Sequence, residues 1–100
     1  MYLKIHYTGQ RFNNRFVIAV CDEGLLNKEL DDGKRSLTVS EQFYKGDKKS
    51  ENEVIAILKD ASNANLIGEE AVAAGIKAGI VSKENVAVIK GVPHAQAVSF

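Results

Sequence analysis

The sequence predicts a single α+β domain over residues 1–100, with a mostly antiparallel sheet of about five short strands and two main helices packed on one face. Three observations carry this. Segments of alternating side-chain character open and close the chain, two stretches at helical spacing lie between Ser50 and Gly79, and the connections are too short for several parallel crossovers.

The first alternation is Tyr2 to Thr8, where Leu3, Ile5 and Tyr7 share one face and Tyr2, Lys4 and His6 the other. The second is Arg15 to Cys21, apolar on both faces and so expected at the centre of the sheet. Between them, Gly9 to Asn14 supplies the turn residues of a hairpin. Asp22 is positioned to cap a short helical turn through Leu25, Leu26 and Leu30, closed by Asp32-Gly33. Leu37 and Val39 then mark a third, short strand over Ser36 to Ser40.

Residues 40–49 read as a polar connection pinned to the core by Phe43 and Tyr44. Ser50 with Glu53 forms a capping box, because serine accepts from the third helical amide while the glutamate reaches back. The helix it opens stacks Val54, Ile55, Leu58 and Ala61 on one stripe and should end near Ser62-Asn63. A second helix follows from about Glu69 to Ala78, with acids in its first turn and Gly79 near its C-terminal cap. Gly75 inside it costs about 1 kcal/mol relative to alanine, which points to a close approach of another segment. Ser82 to Asn85 is a turn, Val86 to Lys90 a strand, Gly91-Val92-Pro93 a bend, and His94 to Phe100 a last strand.

Composition narrows the function classes. Hydrophobic residues at 45% and charged residues at 26% are ordinary globular usage. No run of about 18 apolar residues offers a membrane span and no cleavable leader follows Met1, so the expected compartment is the cytoplasm. The single cysteine, Cys21, excludes an internal disulfide and Cys-rich zinc modules. Thirteen basic and thirteen acidic residues cancel, but in blocks: +3 over 1–20, −4 over 21–33, +3 over 34–49, −4 over 50–70 and +2 beyond. Separate patches able to dock on RNA or a charged protein, or a well-mixed solvated surface, both fit that pattern.

Four sets of residues carry candidate chemistry. His94 and Gln96 share a strand face just after Pro93, whose fixed φ pre-orients the pair toward a base edge, a peptide or a phosphate. The plain alternative is a histidine that satisfies a nearby backbone group. Asn63 and Asn65 either close one helix and cap the next, or join Glu69, His94 and Gln96 in one polar pocket if the last strand lies beside them. Cys21, at a strand end before Asp22, is either a nucleophile with His94 as its base or a buried core thiol; the neighbouring carboxylate opposes the thiolate. The loop Gln10 to Arg15 pairs Arg11 and Arg15, suited to phosphate, with Phe12, suited to stacking on an unpaired base. Otherwise it is a solvated turn with Phe12 folded back on the sheet. No metal-ligand spacing and no phosphate-binding glycine loop is present, so no cofactor is expected.

The segments Tyr2-Leu3-Lys4-Ile5-His6, Ala19-Val20-Cys21-Asp22-Glu23, Ser40-Glu41-Gln42-Phe43-Tyr44, Ala64 to Glu69 with Ala71-Val72, and above all Gly91-Val92-Pro93-His94-Ala95-Gln96 resemble the archaeal domain-of-unknown-function family 424 along essentially the whole chain. The turn from Gly9 to Arg15 is longer than that family's usual one, which makes the basic loop particular to this branch. The resemblance implies a small, free-standing archaeal cytoplasmic α+β protein, encoded among genes for translation and ribosome maturation. It carries over no catalytic residue and no cofactor.

The expected function is therefore a non-catalytic binding module for RNA, the ribosome or a translation factor. Asn63, Asn65, Glu69, His94 and Gln96 supply the pocket; Arg11, Phe12, Arg15, Lys48 and Lys49 reach the nucleic acid, with no membrane and no DNA sequence recognition expected. Two rivals stand beside it. One is a small-molecule enzyme using Cys21 or His94 with Asp22 or Glu69; the other is a homo-oligomeric adaptor joined through the Ala/Gly-rich helix. Oligomeric state is left open.

Overall fold

Six strands hydrogen-bond into one mixed sheet, and a computed structural model describes them over residues 1–7 and 16–98. In chain order the strands are β1 (Tyr2–Tyr7), β2 (Phe16–Cys21), β3 (Glu29–Asp31), β4 (Ser36–Thr38), β5 (Asp47–Lys48), β6 (Asn63–Ile67), β7 (Ala87–Ile89) and β8 (Val92–Val98). The helices are α1 (Glu41–Tyr44), α2 (Glu51–Leu58) and α3 (Glu69–Lys77). The sheet order is β5-β1-β2-β6-β8-β7, while β3 and β4 form a separate antiparallel pair. No helix among the described residues is long and apolar enough to cross a membrane.

The expected β1/β2 pairing is present, antiparallel, from Tyr2 opposite Cys21 to Tyr7 opposite Phe16. β2 is central, as its two apolar faces require. The expectation of about five strands, mostly antiparallel, needs correction at β6. The stretch read as a junction between two helices is a strand that pairs parallel with β2 and antiparallel with β8. Asn63 and Asn65 are thus strand residues and cap no helix. The crossover from β2 to β6 uses residues 22–62, with α2 as its last element, and this one long connection permits the parallel pair.

Alternation divides the sheet into two packed faces. On one, Leu3, Ile18, Val20, Ala64, Leu66 and Ala95 meet α2 and α3 through Val54, Leu58, Ala71, Val72 and Ala74. On the other, Ala19, Cys21, Ile67 and Ile89 are covered by Leu30 of β3, Val39 just after β4 and Tyr44 of α1. The two main helices share one face as expected, with the one-turn α1 on the other.

The Ser50 capping box forms with both its bonds: the Glu53 amide donates to Ser50 Oγ at 3.3 Å, and the Ser50 amide donates to Glu53 Oε1 at 3.1 Å. α2 nevertheless stops at Leu58, earlier than the expected Ser62, because β6 begins at Asn63. The turn expected from Asp22 to Leu30 shrinks to a 3-10 turn at Glu23–Leu25, and Leu30 lies in β3. The Asp22 side chain caps α3 instead. Its Oδ2 accepts from the Glu70 amide at 3.1 Å and its Oδ1 from the Ala71 amide at 2.9 Å.

Gly75 justifies its helix-propensity cost. A methyl there would run into Leu66 Cδ1 and stand 3.3 Å from Val81 Cγ2, so the bare backbone lets α3 settle onto β6. Ala71, Ala74 and Gly75 are buried inside the domain, and the small-residue face read as a self-contact is spent on the core. Gly79, at φ +82°, ends the helix in a Schellman motif, with its own amide bonded to Ile76 O and the Ile80 amide to Gly75 O.

Candidate functional site

The sheet register arranges the polar side chains opposite the main helices in three rows. His6, Val17, Asn63 and Val98 form the first; Lys4, Ala19, Asn65 and Gln96 the second; Tyr2, Cys21, Ile67 and His94 the third. The third row is roofed by the β3/β4 pair and α1. Toward the first row that roof ends, and a depression of about 300 Å³ remains, lined by Val17, Phe43, Asn63, Asn65, Gln96 and Val98.

Its aromatic wall comes from α1. The Phe43 ring stacks on His6 with centroids 4.7 Å apart and planes 15° from parallel, and stands in a T-shaped contact with Tyr44, centroids 4.8 Å apart. The His6 Nε2–H donates to Phe43 O at 2.7 Å, which fixes the tautomer of His6 and the end of α1 together. Ser40 starts this single turn by accepting from the Phe43 amide at 3.2 Å, and Lys4 Nζ donates to Gln42 O at 2.6 Å.

The polar wall comes from β6 and β8. Asn65 is held from behind: the Tyr44 hydroxyl donates to its Oδ1 at 2.6 Å, and His94 Nε2 approaches the same oxygen at 3.2 Å. Burial, then the charge of Cys21, pushes the Tyr44 phenol up to about 12, so it remains a donor at neutral pH. Burial, then the Arg35 guanidinium, holds His94 below the ordinary histidine range. The imidazole is neutral near pH 7, with Nε2–H donating to Asn65.

Of the residues expected to form one pocket, the structure brings Asn63, Asn65 and Gln96 to the depression and sets His94 behind Asn65. Glu69 is not among them. It opens α3 at the other end of β6 and borders a separate hollow with Asp22, Gly68 and Pro93. Lys48 stands beside Glu23 and Lys49 beside Glu53, neither at the depression. Arg11, Phe12 and Arg15 lie outside the described residues. His6, Phe43 and Tyr44 were not foreseen as site residues. The sequence signals for them are that His6 shares a strand face with Lys4 and that Phe43 and Tyr44 are aromatics pinning a polar connection to the core.

Cys21 has the opposite of an activated environment. It is fully buried, and burial followed by Asp22 pushes its thiol up to about 11. Native protein should therefore react with a thiol reagent at neutral pH more than about a hundredfold slower than unfolded protein. Comparable rates would restore Cys21 as a nucleophile. Among the described residues, no group of three or more His, Cys, Asp or Glu side chains is placed to hold a metal ion.

A wider hollow, about 650 Å³, opens beside Asp22, Glu23, Lys28 and Glu70. Its first two carboxylates are already engaged: Asp22 caps α3, and Glu23 lies 3.6 Å from the Met1 amine and 3.9 Å from Lys48 Nζ. The sheet-face depression differs in having amides and an aromatic ring that converge on open space.

Architecture and site define the class: a small α+β protein with a mixed sheet, helices on one face and an amide-lined depression on the other. The chain belongs to the DUF424 family, a family of proteins of unknown function, whose model matches residues 11–100. That is the family its Ala64–Glu69 and Gly91–Gln96 segments resemble. The chain is also similar to a solved structure, the crystal structure of an uncharacterized conserved protein from Methanopyrus kandleri. That likeness has 30% identity and a TM-score of 0.82, and covers 99% of this chain and 92% of that one. No curated protein matches.

Proposed function

We propose that the protein is a non-catalytic binding module for single-stranded RNA, of the kind displayed by the ribosome and its associated RNAs. The observation that carries this reading is the sheet-face depression itself, where the Phe43 ring, stacked on His6, faces three side-chain amides across a space of about 300 Å³. Unpaired bases are recognised by that combination, an aromatic surface for stacking and short polar groups for the base edge. Arg11 and Arg15, which follow β1 and precede β2 in the sequence, are the cations this reading assigns to the phosphates. Near-zero net charge suits a partner held by local contacts rather than by a long-range field.

The test is fluorescence anisotropy with a labelled ten-nucleotide RNA of mixed sequence, at several salt concentrations. Binding should weaken with salt, and Phe43→Ala should cost roughly tenfold in affinity, the scale of one lost stacking contact. Replacing Arg11 and Arg15 together by alanine should flatten the slope of log K against log salt by about 1.4, two phosphate contacts at about 0.7 each on single strands. Absence of binding at low salt refutes the reading. An unchanged slope in the double variant removes the loop from it.

A further inference from the structure

We infer that β8 pairs with β8 of a second copy of this chain, antiparallel about a dyad at Ala97, so that the protein associates weakly with itself through this edge of its sheet. Self-pairing of this kind is independent of RNA binding. The direction of the β8 backbone makes it possible. The Gly68 amide donates to Pro93 O at 2.9 Å, so Pro93 faces β6, and by alternation Ala95 and Ala97 face it too. His94, Gln96 and Val98 then direct their N–H and C=O groups to the opposite side. On that side β7 covers β8 only as far as Ala87 opposite His94. The outward backbone groups of Gln96 and Val98 have no partner among the described hydrogen bonds.

The other edges of the sheet are guarded. β7 has its outward Val88 carbonyl taken by Arg35 Nη2 at 3.2 Å, β5 is a short pair of charged residues, and β1 beyond it carries Lys4. The free step of β8 has no such device: His94 to Val98 holds no Lys, Arg, Asp or Glu, and Val98 is 61% exposed. Both faces beside it are hollow. On the helix side about 280 Å³ opens next to Lys59, Ala61, Ile80 and Ala97, and on the other side lies the depression with Gln96 and Val98. A second copy fits this step because its outward residues are self-complementary. Gln96 of each copy meets Val98 of the other in a hydrogen-bonded pair, and Ala97 meets Ala97 between them. No like charges face each other, and alanines at the dyad allow the close approach of a non-hydrogen-bonded pair. The dyad stands perpendicular to the sheet, so the depressions of the two copies open side by side on one face. An edge this short buries less than about 1,200 Å², the range of weak and transient association.

Sedimentation velocity of the full chain from about 10 µM to about 1 mM should show the monomer boundary giving way to a dimer as concentration rises. Gln96→Lys with Val98→Lys sets like charges directly opposite each other across the dyad, as does Gln96→Glu with Val98→Glu. Each double variant should lose at least roughly tenfold in self-affinity, and an equimolar mixture of the two should recover it. Both positions are exposed, so the fold should survive, with a thermal melt as the check. Ala97→Cys should crosslink to itself in oxidised glutathione, since a non-hydrogen-bonded pair brings its Cα atoms to about 4.5 Å, within the roughly 4.4–6.8 Å that a disulfide spans. Gln96→Cys lies opposite Val98 rather than itself and should crosslink far more slowly; Cys21 is buried and does not compete. A monomer throughout the concentration range overturns self-pairing and leaves the edge to an extended segment of another protein. A dimer that survives both double variants, or one that Gln96→Cys crosslinks faster than Ala97→Cys, overturns the assignment of β8 and its register.

Discussion

Gly68→Ala is expected to destabilise the protein by about 2–4 kcal/mol, far beyond an ordinary surface substitution. Gly68 is buried between β6 and α3 at φ +111° and ψ 159°, a region of backbone space essentially confined to glycine. Forcing a side chain into that conformation costs about 1–3 kcal/mol. A second penalty comes from the neighbour, because the added methyl would lie about 2.5–2.6 Å from both carboxylate oxygens of Asp22. Those oxygens accept from the Glu70 and Ala71 amides and are the N-terminal cap of α3, an interaction worth about 1 kcal/mol.

The same place joins three strands: the Asp22 amide donates to Ile67 O at 3.2 Å and the Gly68 amide to Pro93 O at 2.9 Å. Urea denaturation of wild type, Gly68→Ala, Asp22→Ala and the double variant separates the two penalties. Asp22→Ala alone should cost about 1–2 kcal/mol. In the Asp22→Ala background, Gly68→Ala should cost less than in wild type, since the clash is gone and only the backbone strain remains. A Gly68→Ala cost below about 1 kcal/mol would contradict the geometry of this junction.

That junction also explains why part of the fold was legible from the sequence and part was not. β1, β2, the Ser50 capping box and the close approach at Gly75 each announce themselves within a few residues, through alternation or a local hydrogen-bond pattern. β6 does not. Asn63-Ala64-Asn65 lacks the β-branched and aromatic residues that mark strands, and it is held in extended form by partners on both sides, Ile18 to Cys21 and His94 to Val98. Asp22 reads as a local cap because the helix it caps begins 47 residues later.

The site divides in the same way. The parity of β8 put His94 and Gln96 on one face from sequence, and Asn65 does lie opposite Gln96. But the end of the depression is decided by where α1 stops roofing the sheet. The contacts that decide this, His6 with Phe43 and Tyr44 with Asn65, span 37 and 21 residues. Residue spacing cannot show them, and so Phe43 and Tyr44 read only as aromatics pinning a loop to the core.

Leu66→Ala should be the most damaging single truncation in the helix-facing core, at about 3 kcal/mol, and the damage should be partly reversible by a second substitution nine residues away, at Gly75. Leu66 is fully buried at the middle of the sheet, so its loss leaves a cavity as well as a transfer penalty. The cavity forms directly under α3, where a Gly75 methyl would otherwise strike Leu66 Cδ1. In wild type, Gly75→Ala gains about 1 kcal/mol of helix propensity and loses about 1–3 kcal/mol to overpacking, for a net cost of about 0–2 kcal/mol. In the Leu66→Ala background the severe clash is absent and only Val81 Cγ2, at 3.3 Å, stays close; the methyl enters largely vacated space, and the same substitution should stabilise by up to about 1 kcal/mol. A double-mutant cycle by urea denaturation should therefore give a favourable coupling of about 1–3 kcal/mol between positions 66 and 75. Additivity within about 0.5 kcal/mol would mean that α3 does not rest on β6 through the bare backbone of Gly75, and the account of that glycine would have to be abandoned.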